Sequence, residues 1–211
     1  RGLGDVYKRQ VITTLSIIVL QVLVMVPAAY AFAKHKFRGK GFLFSFVLLG
    51  FMIPGQITFI PVYLMMSDWG ITQTLWPQIL PFMSNAFGIF WLRQFFMQIP
   101  NEIMEAGRID GASELGIMYR IMVPMAIPSL ATTMLFSFVT HWNSYFWPLV
   151  MTNSSDLRTL PLGIQMLQSS EGMQLWNVIM AGNVVLVLPV LAVYLVLSKY
   201  IVKSFTGVSL K

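Results

Sequence analysis

The chain has 211 residues, of which 56% are apolar and only 10% are charged, and its net charge is +6. Soluble domains carry about 25% charged residues, so this composition indicates a polytopic membrane protein and excludes a soluble enzyme, a disordered chain and collagen. The absence of cysteine excludes a disulfide scaffold and thiol chemistry, and the basic residues lie in short clusters between apolar runs, which is not a nucleic-acid-binding pattern.

Charge-free apolar runs define the predicted elements. A bilayer core about 30 Å thick is crossed by about 20 helical residues. Five runs reach that length, although part of the third should lie outside the hydrocarbon and the fourth ends in polar residues. Lipid offers the backbone no hydrogen-bond partners, so we predict an all-α, polytopic transmembrane helix bundle. The five predicted spans are Val11–Ala33, Gly41–Ser67, Trp69–Leu92, Ile121–Ser155 and Gly172–Ser198.

The second run contains Pro54-Gly55 and Pro61. A proline removes a backbone donor and can kink a helix. Two outcomes are open: neighbouring helices absorb the kinks, or these residues break the second span beside a cavity.

The basic residues predict the topology. Short loops rich in Lys and Arg lie on the cytoplasmic side of a membrane. Alternating the five runs places ten bases inside and only Arg158 outside, with the C-terminus cytoplasmic and the first span entering from outside. The inside bases are Lys34, Lys36, Arg38, Lys40, Arg93, Arg108, Arg120, Lys199, Lys203 and Lys211.

The first ten residues conflict with this topology, because Arg1–Gln10 contains three bases yet is placed outside. The chain also begins without an initiator Met or a signal peptide. We hypothesise that Asp5–Gln10 is not native, because DVYKRQ is one reading frame of a common transposon-derived sequencing adapter. The same six residues in a full-length clone would refute this. We therefore expect residues 1–10 to be non-native or truncated, residues 11–211 to form the transmembrane domain, and at least one N-terminal span to be missing.

The segment Pro100–Pro124 is the most polar part of the chain, since it holds four of the eight acids. Asn101 is the predicted N-cap of a short helix, with Glu102 and Glu105 in its first turn. Asp110-Gly111 predicts a tight turn. A second short helix then presents one apolar stripe through Leu115, Met118 and Met122.

Together these elements predict a helix–turn–helix elbow on the cytoplasmic face that docks on a partner. An ordinary solvated loop packed against the ends of the bundle is the alternative. A catalytic carboxylate pair is not favoured, because no His, Ser or metal-ligand set accompanies these acids.

Polar residues in the apolar runs are candidates for a substrate pathway, since such residues usually face the bundle interior. Aromatic rings beside amides and hydroxyls suit a sugar, but the same residues are also typical of an interfacial aromatic belt and of helix packing. Gln56, Thr58, Gln73 and Asn183 are weaker candidates. The main candidates are His141, Trp142, Asn143, Ser144, Tyr145, Trp147 and Asn85.

The stretch Glu105–Ala112, followed by Ile121-Met122-Val123-Pro124 and Pro128, resembles the EAA loop of ABC-importer permeases. Gly107 departs from that pattern, in which a second Ala is expected. Further segments are similar to the carbohydrate-uptake branch, with most likeness to the second permease subunit of the maltose transporter. These segments are Ala29–Ala33 with Lys36–Lys40, Trp142–Leu149, Thr159–Gly163 and Tyr200–Phe205.

The resemblance implies six spans in the full-length protein, a location in the bacterial inner membrane, and a coupling helix seated in a groove of a cytoplasmic ATP-binding subunit. ATP and Mg would be bound by that subunit, since this chain has no G-x-x-x-x-G-K-[ST] run and is expected to hold no cofactor or metal. The implied partners are a second permease subunit, two ATPases, an extracytoplasmic solute-binding protein and a sugar, with no nucleic acid. The implied coupling residues are Glu105, Ala106, Gly107, Asp110, Gly111, Ala112 and Pro124.

Three alternatives to a sugar permease fit parts of the sequence. A secondary transporter or channel fragment predicts inverted repeats and intramembrane charge, neither of which is evident. A membrane-embedded enzyme needs a nucleophile–base pair or a metal site, whereas the two histidines, His35 and His141, fall at different depths. An ABC permease for a non-sugar solute remains open.

Overall fold

The computed structural model describes residues 3–151, 158–169 and 176–205. Within these ranges the regular structure is helical and contains no strand, which confirms the prediction of an all-α fold. The helices are α1 (Leu3–Lys34), α2 (Lys40–Met52), α3 (Gly55–Asp68), α4 (Trp76–Ile79), α5 (Ala86–Gln98), α6 (Asn101–Ile109), α7 (Glu114–Ile117), α8 (Val123–Met125), α9 (Ile127–Trp142), α10 (Phe146–Met151), α11 (Leu160–Ser169) and α12 (Trp176–Phe205).

Two helices of the described part are long and apolar enough to cross a membrane by themselves, and they confirm the first and fifth predicted spans. These are the stretch Gly4–Lys34 of α1 and the stretch Trp176–Ile201 of α12. Two bent pairs pass the same test together, α2 with α3, and Glu114–Met125 with α9. By length and composition the described residues therefore supply up to four spans.

The third predicted span is not a single helix. Trp69–Leu92 is divided into α4, a 3₁₀ turn at Leu80–Phe82, and α5, which starts at Ala86 and continues past Leu92 to Gln98. Pro77 and Pro81 each lack the amide hydrogen that would continue an α-helix. Asn85 then caps a new helix, because its Oδ1 accepts a hydrogen bond from the Gly88 amide at 2.8 Å. A new helix, α5, thus begins at this cap, where the sequence predicted a continuous span.

The second predicted span is interrupted at Ile53-Pro54, so the helix is broken at this proline. Pro54 lies between α2 and α3, and Gly55 is the first residue of α3. Pro61, in contrast, lies inside α3 without ending it, so of the two open outcomes a break is found at Pro54 and not at Pro61.

The fourth predicted span, Ile121–Ser155, contributes one long apolar helix, α9, which ends at Trp142, and the short helix α10. Its N-terminal part belongs to a separate helical segment that meets α9 at a bend of 79°. A large part of the predicted outer segment, Thr152–Trp176, lies outside the described residues, as does the tail base Lys211.

The chain forms two compact units. Unit 1 comprises Arg1–Val19, Gly55–Met83 and Leu135–Val196, and unit 2 comprises Leu20–Pro54, Ser84–Met134 and Leu197–Lys211. In unit 2, α1, α5, α6, α7 and the segment after α7 share an apolar core whose fully buried members include Val26, Leu92, Phe96, Ile117 and Met122. That core anchors the polar segment 101–124. Unit 1 contains an aromatic cluster in which the rings of Phe59 and Phe82 both contact Trp147.

Candidate functional site

The polar segment folds as a helical hairpin made of α6, a tight turn, and α7 with its continuation, and we call residues 101–124 the hairpin. Gly111 has φ +79°, a left-handed conformation that L side chains rarely adopt. The Ala112 amide donates to Gly107 O at 2.9 Å and the Gly111 amide donates to Arg108 O at 3.0 Å. This pair of bonds is the Schellman arrangement that ends helices, so the predicted break at Asp110-Gly111 is confirmed.

The first turn of the hairpin differs from the prediction. Asn101 is the first residue of α6 and not its N-cap, a position held by Pro100 without a side-chain bond. The Asn101 Oδ1 instead accepts a hydrogen bond from Lys34 Nζ at 2.9 Å, and Lys34 Nζ also donates to the Ile99 carbonyl. Glu102 lies in the first turn, whereas Glu105 is exposed one turn later. The start of α6 is therefore tied to the last residue of α1.

Gly107 faces the inside of the hairpin. It is buried, and a Cβ at this position would lie 2.9 Å from Ile121 Cδ1 and 3.4 Å from Ile117 Cγ1. Its small size therefore allows α6 to pack against the second arm. Among the other predicted coupling residues, Glu105, Ala106, Asp110, Gly111 and Pro124 are exposed and Ala112 is half-buried.

The second arm buries Ile117, Met118 and Met122, whereas Leu115 is 66% exposed. Of the predicted apolar stripe, Met118 and Met122 are therefore buried in the core, whereas Leu115 is exposed to solvent. A π-helical turn at Met118–Met122 continues α7 toward α8.

A groove of about 710 Å³ lies along the turn and the second arm of the hairpin. It is bordered by polar and small residues, including Asp110, Gly111 and Ala112, and by the exposed side chains of Leu115 and Tyr119. Ile109, beside the turn, is 86% exposed. Large apolar side chains in such exposed positions mark a surface that a partner covers. Sequence reasoning missed this patch, although a helical projection of α6 opposite Met104 would have indicated Ile109.

A charged cluster joins the hairpin to α1, and it was also not anticipated. The Glu114 carboxylate accepts hydrogen bonds from Arg108 Nε at 2.8 Å and from the Tyr30 hydroxyl at 2.9 Å. The His35 Nε2 lies 3.6 Å from the same carboxylate. The hydrogen bond from Arg108 lowers the pKa of Glu114 and raises the pKa of Arg108.

The predicted pathway residue His141 lines a small cavity in unit 1. The cavity has a volume of about 20 Å³ and is lined by polar and aromatic groups that include Gln78, Ser144, Trp147 and Thr159. That volume has room for about one water molecule and is far too small for a sugar. The Trp147 Nε1 donates to the Pro77 carbonyl at 2.7 Å, which fixes the indole. Gln78 was missed, although a lone amide between two prolines of an apolar run was a visible signal.

The other predicted pathway residues make local backbone contacts. Trp142 is 1% exposed and its Nε1 donates to Leu186 O at 2.8 Å. The Asn143 Nδ2 donates to Val139 O at 2.8 Å, on the helix that precedes it. Tyr145 is 37% exposed. Asn85 caps α5, and of the main pathway candidates His141, Ser144 and Trp147 line the cavity.

The weaker candidates give a similar result. Gln56, Thr58 and Gln73 are exposed, and Asn183 Nδ2 donates to Ile179 O within α12. In the part of the chain that the structure describes, no three His, Cys, Asp or Glu side chains form a group that could hold a metal ion.

Comparison with known proteins identifies the family. Residues 25–207 match the family model of the binding-protein-dependent transport system inner membrane component. The arabinooligosaccharides transport system permease protein AraQ of Halalkalibacterium halodurans is 34% identical over 190 residues, which are 90% of this chain and 68% of that protein. The sn-glycerol-3-phosphate transport system permease protein UgpE of Pectobacterium atrosepticum is 32% identical over 194 residues, 92% of this chain and 69% of that protein.

A solved structure has the same fold. It is the crystal structure of a bacterial ABC transporter involved in the import of the acidic polysaccharide alginate, with a TM-score of 0.81 and 27% identity over 94% of this chain and 75% of that chain. These findings confirm the resemblance to ABC-importer permeases that the sequence indicated. The chain therefore belongs to the family of binding-protein-dependent transport system inner membrane components, as a multi-pass membrane transport subunit and not an enzyme.

Proposed function

We propose that this chain imports a sugar or oligosaccharide and that its hairpin is the element through which a separate ATP-binding subunit drives transport. The observation that carries the coupling role is the exposed surface around the turn. Ile109 and Leu115 are 86% and 66% exposed on either side of it, beside the groove of about 710 Å³. Apolar side chains of this size gain free energy when a partner removes them from water, about 1.5–3 kcal/mol for a full side chain.

The chemistry of the groove supports a protein partner. Exposed Asp110 and Gly111 lie at the turn, and Glu105 and Ala106 are exposed on α6. Small residues let a partner backbone come close, while the carboxylates can pair with basic groups at the rim. Residues 101–124 are then a rigid lever: the partner moves it, and the attached helices move with it.

The partners of this proposal follow the expectations from the sequence. ATP and Mg are bound by the cytoplasmic ATPase, a second permease subunit completes the membrane part, and an extracytoplasmic solute-binding protein delivers the sugar. The hairpin and the C-terminus lie in the cytoplasm, on the side where the basic loops predict them.

The solute class is supported by the names of the relatives, since one transports arabinooligosaccharides and the matched structure imports alginate. His141, Ser144 and Tyr145 remain the proposed pathway residues. Asn85, Trp142 and Asn143 each already use a polar group in a bond to the backbone, so a solute would compete with those bonds. A second candidate solute is a polyol phosphate, because the UgpE relatives transport sn-glycerol-3-phosphate.

The coupling role is tested by purifying the full-length complex from its host. We expect Ile109→Lys to remove most of the ATP-binding subunit from the purified complex. Trp69→Lys is the matched control, since Trp69 is 58% exposed but belongs to unit 1, whereas the hairpin belongs to unit 2. An unchanged ATPase content in the Ile109→Lys complex would contradict the coupling role.

The solute class is tested on the same complex. ATP hydrolysis in the presence of the binding protein is measured with arabino-oligosaccharides and with sn-glycerol 3-phosphate. Stimulation by the oligosaccharides supports the sugar proposal, and stimulation by sn-glycerol 3-phosphate alone selects the second candidate.

A further inference from the structure

The end of α1 holds the hairpin at two points. Lys34, its last residue, donates to the Ile99 carbonyl and to Asn101 Oδ1 at the start of α6. One turn earlier, the Tyr30 hydroxyl donates to Glu114 at the start of α7. Both arms of the hairpin are therefore attached to a single long helix that also qualifies as a membrane span.

The Tyr30–Glu114 contact joins the hydroxyl of a buried tyrosine to a charged carboxylate. Tyr30 is buried, and its ring packs edge-on against Phe96 at 6.2 Å and against His35 at 5.2 Å. A buried tyrosine hydroxyl needs a partner, and hydrogen bonds to a charged carboxylate are stronger than those between neutral groups. Glu114 Oε2 accepts from Tyr30 while Oε1 accepts from Arg108, so that one carboxylate joins α1, α6 and α7. We call Tyr30, Arg108 and Glu114 the clamp.

The clamp residues are distinct from those of the groove. Glu114, Arg108 and Tyr30 do not line the groove, whereas Asp110, Gly111 and Leu115 do. The hairpin thus attaches to α1 through residues other than those that line the groove. The apolar core beneath it, from Met104 to Ile117, packs the two arms together, so that the hairpin can act as one body.

We infer that Tyr30 and Glu114 are positioning residues that fix the hairpin to α1, so that α1 follows the hairpin when the ATPase moves it. This inference rests on the proposed coupling function. Arg108 holds the carboxylate in place from the hairpin side. Without the hydroxyl of Tyr30, the second arm loses its bond to α1, and movement of the hairpin is transmitted only through the packing and through Lys34.

The test uses the complete transporter in lipid nanodiscs, with a single cysteine reporter. The chain has no native cysteine, so Lys36→Cys, exposed just beyond α1 and outside the groove, can be labelled with bimane without background from this chain. Two quantities are measured in the wild type, Tyr30→Phe, Glu114→Ala and the double variant. One is hydrogen exchange of the α7 amides, and the other is the change in bimane emission between the nucleotide-free and the ATP–vanadate states.

We expect Tyr30→Phe to speed exchange of the α7 amides roughly tenfold, as the loss of a hydrogen bond to a charged group predicts. The emission change should decrease from wild type to Tyr30→Phe to Glu114→Ala, while the ATPase content stays at the wild-type level. Adding Tyr30→Phe to Glu114→Ala should have no further effect, because the acceptor is already gone. Tyr194→Phe, which removes a hydroxyl from an exposed tyrosine of α12, is the matched control and should behave as the wild type.

A purely structural role for the clamp would alter exchange but leave the emission change intact, and that result overturns the inference. So does a wild-type complex in which the α1 reporter ignores nucleotide, or a Tyr30→Phe effect that is equally large with and without Glu114. Failure of the proposed function looks different, since the purified complex would then contain no ATP-binding subunit while the exchange measurement still reports on the clamp.

Discussion

Gly111 offers a direct test of why a glycine stands at the turn of the hairpin. Its φ of +79° lies in the left-handed region, and a Cβ added to it would meet no atom within 4 Å. The structure therefore predicts a penalty from backbone conformation and none from crowding inside the chain. A left-handed conformation costs an L residue roughly 1–2 kcal/mol, less for Asn and more for a β-branched residue. If close approach by the ATPase were the reason, the penalty would follow side-chain volume instead.

The two explanations rank the same substitutions differently. From the conformation, the hairpin should be weakened least by Gly111→Asn, by about 1 kcal/mol in Gly111→Ala, and by about 2 kcal/mol or more in Gly111→Val. These values correspond to exchange of the Ala112 amide, which bonds to Gly107 O, that is roughly fivefold faster in the Ala variant and roughly 30-fold faster in the Val variant. From volume, Ala would be tolerated best.

The assay is hydrogen exchange of the hairpin amides in the purified complex. Gly70→Ala is the matched control, because Gly70 also has a positive φ, +68°, with open space around it, but belongs to a turn in unit 1. It should leave exchange in the hairpin unchanged. Exchange rates that increase in the order Ala, Asn, Val would refute the conformational reasoning.

Two further predictions follow from single contacts. Asn85→Ala removes the side-chain cap of α5 and should lower the stability of that helix by about 1 kcal/mol, measured as faster hydrogen exchange of the Gly88 and Ile89 amides. If Asn85 acted only in the substrate pathway, the substitution would reduce transport and leave this exchange unchanged. Because the pKa of Glu114 is lowered, the clamp is intact above the ordinary value of 4.5 and is lost only as the pH falls through the still lower pKa of the folded state. The emission change of the α1 reporter should therefore stay constant from pH 8 to about pH 5 and decline below 4.5. Glu114→Gln should abolish that decline.

The parts of the fold that the sequence predicted correctly depend on continuous runs. α1 and α12 each contain a long charge-free apolar stretch and remain helical through Pro27 and Pro189, so the length of the stretch identifies them as spans. Trp69–Leu92 fails as a span because hydropathy averages over Pro77, Pro81 and the cap at Asn85, each of which acts on a single backbone position. Composition detects a long apolar run, but it does not detect a helix break that depends on single residues.

In the hairpin, too, the sequence predicted a local feature and missed a long-range contact. Its turn was predicted because Asp-Gly has local conformational meaning, and Gly111 indeed carries the positive φ. The Glu114 contact with Tyr30 joins residues 84 positions apart, and no local pattern encodes such a pair. The predicted apolar stripe is buried at Met118 and Met122 but exposed at Leu115, and in a short helix each step of about 100° changes which face a residue occupies.

The polar residues inside apolar segments have different roles: some bond to the backbone where a helix begins or ends, and others border a cavity. A backbone interruption leaves donors and acceptors that lipid cannot satisfy, so some polar side chains are required simply to complete helix ends. Asn85 and Asn143 are of this kind, and Trp142 likewise uses its indole nitrogen on a backbone carbonyl. His141 differs, because it borders a cavity. The useful question for each such residue is therefore whether a broken helix nearby already explains it.

The small residues of Glu105–Ala112 have different physical reasons, although they form one sequence pattern. Gly107 is small because the second arm packs on it, with Ile121 Cδ1 only 2.9 Å from the position of a Cβ. Gly111 is required by its φ, and space around it is open within the chain. Ala106 is exposed, so only contact with another molecule could restrict its size. Substitution at these three positions should therefore affect three separate properties, namely the packing of the hairpin, the geometry of its turn and the binding of its partner.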